Sequence, residues 1–212
     1  MAYDLEEQEQ IERLKAFWER YGNFILTVVT VVLLAVAGYR GWGWYQARQA
    51  SEASVVYAQL RTAVELKDVA KVKEAAGTIF EKYGGTAYGQ MAALLAAKAY
   101  SDAGDMKSAK APLQWAVDKA PDGAYAQIAR LRLAGILLDE KSYDEGLKLL
   151  PVESGGRFAG EFADRRGDLL LAQGKRDDAR AAYAMALEKL GDRSSLRRVV
   201  QIKVDALGGA GS

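Results

Sequence analysis

From Tyr21 to Tyr39 the chain runs nineteen residues without a charge, and Arg20 and Arg40 stand at the two ends of the run. At 1.5 Å of rise per residue, a helix of this length reaches roughly 28 Å, about the thickness of a bilayer's hydrocarbon core. Its side chains are Val, Ile and Leu on every face, and the hydroxyls of Thr27 and Thr30 have their own backbone to bond to. Aromatic rings gather at both ends, Trp18 and Tyr21 before the run and Tyr39, Trp42, Trp44 and Tyr45 after it, as rings do at the two membrane interfaces. A membrane anchor over residues 23–45 is the reading these features support, with Phe24, Ile25, Leu26, Val28, Val29, Val31, Val32, Leu33, Leu34, Tyr39 and Trp42 as its lipid-facing residues. Buried core helices are seldom apolar all round at this length. A cleaved signal peptide would use Ala35-Val-Ala37 as its small-x-small site. Against cleavage, residues 1–20 hold six acids and three bases, where a signal peptide has a short basic start.

Residues 1–22 read as an amphipathic segment, with Leu5, Ile11, Leu14, Phe17, Trp18 and Tyr21 recurring at helical spacings. Its placement is open between a solvated extension of the anchor and a helix lying on the membrane surface. Arg13, Lys15 and Arg20 on the short side, against Arg40 and Arg48 on the long side, lean toward a cytoplasmic amino terminus. A lone anchor this near the start of the chain agrees, since it leads the bulk of the chain across the membrane.

The remaining residues suffice for one domain with a sizeable core. The net charge is +1, which gives no electrostatic reason for nucleic acid as a partner. The chain has no cysteine and no histidine, which removes disulfides, the commonest metal ligands and every His-dependent nucleophile. No cofactor and no metal are expected.

Residues 46–207 carry a repeat. Ala97, Gly104, Ala109, Leu113 and Pro121 have counterparts in Ala134, Gly146 and Leu150, and again in Gly167, Gly174, Ala179 and Tyr183. Taking Ala109, Gly146 and Ala179 as equivalent gives spacings of 37 and 33 residues. An earlier unit follows from matching Asp68 to Asp105, again 37 apart. Small residues in both helices of a pair let two backbones approach, a glycine takes the left-handed turn between them, and a larger residue fills the groove one turn later. Asp105 caps one second helix, and Ser142 with Glu145 forms a capping box for another. Pro112 is expected to kink its helix. In the second unit Glu153 stands where a small residue belongs. Pro121-Asp-Gly123 and Pro151 to Gly156 punctuate the units, residues 192–207 make a last helix, and 208–212 form a flexible tail. The fold class is all-α: one transmembrane helix followed by a tetratricopeptide-repeat-like α-solenoid.

No arrangement of residues resembles an active site. Gly84-Gly85 and Gly155-Gly156 lack the setting of a phosphate loop. Asp102, Asp105, Asp177 and Asp178 read as helix-end residues, and Trp115 as core. Arg165-Arg166 and Arg197-Arg198 read as solvated faces, with a grip on an acidic partner as the sharper alternative. What stacked helix pairs offer is a groove along their first helices. In the repeat frame that groove holds Tyr57, Arg61, Met91, Leu94, Lys98, Ser101, Ile128, Leu131, Leu138, Glu161, Asp164, Asp168 and Leu171, a mixture suited to a peptide or helix. The Leu and Ile members equally suit packing between repeats.

The approach to the anchor, with Tyr3, Glu6-Glu7-Gln8, Lys15-Ala-Phe-Trp18 and Tyr21-Gly22-Asn23, resembles the YfgM family, the ancillary subunit of the SecYEG translocon. So do Gly41-Trp42 with Trp44, the Gly160–Gly174 segment with its Ala163–Asp168 core, and the ending Lys203-Val-Asp-Ala-Leu207. The resemblance implies a bitopic inner-membrane protein with its repeat domain in the periplasm. It further implies association with the translocon and with a PpiD-like periplasmic chaperone, assistance to newly exported, unfolded chains, and no catalytic residues. The alternative is a repeat scaffold for another envelope assembly complex. Against it, such soluble scaffolds commonly carry a lipid-attached cysteine, which is absent here. An enzyme working through carboxylates alone is the third reading.

Overall fold

A computed structural model of the protein describes residues 2–119, 123–152 and 156–208, with side chains from residue 9 onward. The expected turn at Pro121-Asp122, Glu153, the Ser154-Gly155 segment, the 209–212 tail and the side chains of Tyr3 to Gln8 lie outside the described residues. Two compact units are present, Met1–Gln49 and Ala50–Ser212.

In the first unit the chain is helical throughout its described length. Helix α1, Ala2–Glu65, has no break at residue 22 or at 46, so one helix covers the amphipathic segment, the apolar run and the first helix of the repeats. Its most apolar 18-residue window has a mean hydropathy of 2.0, and the helix is long and apolar enough to cross a membrane. Thr27 and Thr30 donate to the carbonyls of Asn23 and Leu26, both at 2.8 Å, so neither hydroxyl presents a polar face. At the two ends, Phe17 lies 5.1 Å from Tyr21 and Trp42 lies 5.9 Å from Tyr45, ring centre to ring centre. Trp18 folds over Gly22, the one buried position in this stretch, where a Cβ would sit 3.1 Å from the indole.

The second unit is a stack of antiparallel helix pairs. The end of α1 pairs with α2 (Val69–Tyr83), α3 (Ala87–Asp102) with α4 (Met106–Lys119), α5 (Ala124–Asp139) with α6 (Tyr143–Leu149), and α7 (Ala159–Ala172) with α8 (Arg176–Lys189). Helix α9 (Leu196–Ala206) follows, and a single 3-10 turn, Gly156–Phe158, precedes α7. Every pair turns through one residue with positive φ: Lys67 at 55°, Gly104 at 78°, Lys141 at 62° and Gly174 at 79°. The residue after each returns a hydrogen bond to the helix it has just left, Asp68 to Ala63, Asp105 to Tyr100, Ser142 to Leu137 and Lys175 to Leu170, at 2.8–3.0 Å. This is the Schellman closure of a helix end. Gly208, at φ 87°, gives α9 the same left-handed end. These five turn residues are 37, 37, 33 and 34 apart, with Gly156, also at positive φ, standing outside the series before α7, so α9 is the first helix of a fifth unit.

Counting back from each left-handed residue explains the core. Seven residues before it stand Leu60, Ala97, Ala134 and Gly167, all buried under the second helix of their own pair. Opposite them are Ala109, Ala179 and Gly146, then Leu113, Leu150 and Tyr183 as the plugs the sequence leads one to expect. Each large plug contributes roughly 1.5–3 kcal/mol by its burial. In α9 the same position is Gln201, exposed and donating to Asp205 at 2.9 Å, so the face that would receive a second helix is polar. Eight residues before the turn, Ala96, Leu133 and Val200 are buried against the pair before them, whereas Gln59 in the first unit is exposed.

Several local expectations can be followed one by one. Ser142, at φ −86° and ψ 57°, makes no side-chain cap bond. Asp68 and Asp105 do cap, accepting from the amides of Lys71 at 3.1 Å and Ser108 at 2.9 Å. Asp102 instead lies 2.5 Å from Lys98. Helix α4 continues as one helix through Pro112. Helix α6 is short, ending at Leu149, because Leu150, the residue before Pro151, is steered out of the helical region. Arg166 is not a solvated residue: it donates to the carbonyl of Leu150 at 2.8 Å, and burial lowers its pKa. Arg197 likewise donates to the carbonyl of Leu187 at 2.5 Å, closing the end of α8. Trp115 is half-buried and stacks on Phe80 at 4.5 Å.

Candidate docking face

The first helices of the pairs present their open sides together. Lys98, Ser101 and Leu131 from the expected set, with Arg132, Gly135, Asp139 and Arg165, line one open groove of about 380 Å³ reaching from α3 across α5 to α7. Its floor is apolar, with Ala97, Leu113 and Ile136. Gly135 leaves a gap in the wall, because a Cβ there would meet nothing nearer than Arg165 at 3.9 Å. Arg132 spends one donor on the carbonyl of Leu94 at 3.0 Å, and Arg165 stands 3.4 Å from Asp168.

The other expected residues divide. Tyr57 and Leu94 are half-buried against the core of the first two units. Tyr57 lies 5.4 Å from Tyr88, ring to ring, and burial raises its pKa. Arg61 is exposed, 3.9 Å from Glu65. Met91, Ile128 and Glu161 are half-buried and Leu171 is exposed. Leu138 packs on the cluster around Ala134, Leu150 and Phe162, which is the inter-repeat packing that the sequence left open for the Leu and Ile members.

Asp164 and Asp168 are not free groove charges. Lys203 reaches over from α9 and donates to Asp164 at 2.6 Å and to Asp168 at 2.7 Å, while Tyr183 donates to Asp168 at 2.9 Å. Asp164 is only 6% exposed, and desolvation raises its pKa despite the hydrogen bond from Lys203. Desolvation and then the Asp168 charge push the Tyr183 hydroxyl up as well. Lys203 also sits 5.2 Å from the centre of the Tyr183 ring, a cation–π contact. This network ties α7, α8 and α9 together.

Sequence reasoning missed Arg132 and Gly135, although Arg132 and Arg165 stand 33 residues apart at one repeat position and a frame one residue wider would have included them. Among the described residues no group of acids, with the chain lacking His and Cys, is placed to hold a metal. Apolar floor, two guanidiniums and an open wall suit non-covalent recognition of another chain.

A stack of helix pairs closed by left-handed turns defines the tetratricopeptide-repeat class, and residues 15–209 match the model of the tetratricopeptide repeat-like domain. A protein of Neisseria gonorrhoeae named ancillary SecYEG translocon subunit is 30% identical over 98% of this chain and 100% of its own length. Proteins of the same name from Escherichia coli K12 and Haemophilus influenzae are each 29% identical, over 95% and 88% of this chain and 96% and 91% of their own lengths. The chain belongs to this family of tetratricopeptide repeat-like ancillary translocon subunits.

Proposed function

We propose that the chain is a non-catalytic scaffold of the bacterial inner membrane that works as an ancillary subunit of the Sec translocon. Residues 23–45 cross the membrane once, residues 1–22 lie in the cytoplasm, and the repeat domain, 46–207, stands in the periplasm ahead of a short tail, 208–212. There its first-helix face binds the translocon and a PpiD-like chaperone, and newly exported polypeptide passes between them. The observation that carries the reading is the full-length similarity to relatives named for the translocon, joined to an apolar stretch of α1 long enough to span a bilayer. The charge pattern flanking that stretch supports the orientation.

Two measurements test it. In spheroplasts of cells making a doubly tagged chain, external protease should remove a carboxyl-terminal tag and spare an amino-terminal one. Mild detergent extraction should then recover SecYEG with the chain. Protection of the carboxyl tag, or recovery without SecYEG, would overturn the reading.

A further inference from the structure

Each end of the second unit carries a pair of exposed apolar residues, and the repeat frame separates those ends. Val55 of α1 and Leu66 just after it, 60% and 68% exposed, line one open pocket of the first unit, and the counterparts of Val55 in the next three units, Ala92, Ala129 and Phe162, are buried; Val55 belongs to an uncovered end. Val199 and Ile202 of α9, 47% and 62% exposed, have a different address. They stand nine and six residues before Gly208. The nine-back position holds Ala58, Leu95, Arg132 and Arg165 in the earlier units, and the six-back position holds Arg61, Lys98, Gly135 and Asp168. None of these eight residues is buried, and Arg132 and Arg165 of the first row and Lys98 and Gly135 of the second line the groove. Val199 and Ile202 therefore belong to the docking face rather than to the end of the stack.

We infer that α9 is a working part of that face: Val199 and Ile202 form its apolar anchor, with Val199 continuing the row of Arg132 and Arg165. The occupant is a segment of the translocon partner that sets an apolar side chain beside carboxylates. This rests on the reading that the repeat domain docks on the translocon. Charge complementarity favours an acidic segment, because Lys98, Arg132 and Arg165 line the groove against Asp139 alone, and Lys203 engages both carboxylates of α7, Asp164 and Asp168. Arginine is among the residues enriched in interface hot spots.

The test uses the full chain and purified SecYEG in lipid nanodiscs, with affinity read by interferometry. The exchange V199S/I202S should weaken binding about tenfold or more, as should I202E alone, while the helical spectrum and melting of the chain stay unchanged. R132E/R165E should weaken it comparably, and added salt should weaken the wild-type complex. V55S/L66S, which removes the other exposed apolar pair, should leave the affinity as it is. Wild-type affinity in V199S/I202S would overturn the inference alone, as would equal loss in V55S/L66S or no loss in R132E/R165E. Failure of the wild-type chain to bind would overturn it together with the reading beneath it.

Discussion

The α-carbon of Gly167 lies directly against the ring of Tyr183, so a Cβ there would sit 2.3 Å from the ring's Cε1. Van der Waals contact allows no such approach, and Tyr183 has no slack: its ring is 1% exposed and its hydroxyl is held by Asp168. Gly167→Ala should therefore destabilise the fold by about 2–4 kcal/mol through overpacking. Gly135→Ala adds the same methyl to a mid-helix site with room for it and should stabilise by about 0.5–1 kcal/mol. Urea midpoints of the full chain in detergent, followed by circular dichroism, will separate the two.

Lysine stands in the left-handed conformation at 67 and 141, where the other units use glycine. A Cβ makes that conformation costly, although glycine loses more freedom on folding. Lys141→Gly should raise stability by about 0.5–1 kcal/mol, and Gly174→Lys should lower it by a similar amount. Thermal melts of the two variants should move in opposite directions.

Removing Lys203 strands a buried carboxylate. Lys203→Met should cost about 2–4 kcal/mol, because Asp164 loses its charge partner while Asp168 keeps Tyr183 and Arg165. Adding Asp164→Leu to Lys203→Met should restore much of that loss, since a buried ion pair is replaceable by apolar side chains. A double-mutant cycle on melting free energies measures the coupling; additive losses would place the effect elsewhere.

The cap aspartates set an acid limit. The pKa of Asp68 is lowered chiefly by the amide of Lys71, and that of Asp105 by hydrogen bonding from Ser108. With the folded pKa below the unfolded one, the folded state binds fewer protons. Their contribution is therefore complete above the unfolded value of about 4 and is lost as pH falls through the folded value. Asp164, with its pKa raised, acts in the opposite sense. Asp68→Ser with Asp105→Ser keeps a cap that does not titrate. Its urea midpoint should fall less steeply than the wild type's between pH 5 and pH 3.

How much of this was legible in the sequence follows from what each signal depends on. The apolar run, the helix pairs and the paired small residues were readable because periodicity and close packing are written in residue size. Ala97 with Ala109 and Gly167 with Ala179 needed only a count. The left-handed lysines were not readable, because a strained lysine resembles any other until its φ is known. The capping box at Ser142 carried the right letters and its hydroxyl makes no cap bond. The fate of Asp164 and Asp168 was hidden for another reason: their partner Lys203 is 39 and 35 residues away and belongs to a half-unit that looked like a simple end helix. Arg166 and Arg197 kept their secret similarly, since the carbonyls they satisfy belong to helix ends fixed only by the tertiary fold.

Gly208 takes the conformation that four times earlier in the chain opens the way to a second helix, and α9 itself answers by refusing one, with Gln201 and Asp205 bonded to each other where a neighbour would need an apolar seat. Turn and seat are thus separately encoded. A stack governed this way has a modular grammar: the 37-residue cassette between one left-handed residue and the next could be duplicated in tandem, lengthening the ladder by a rung while the same terminal helix still closed it.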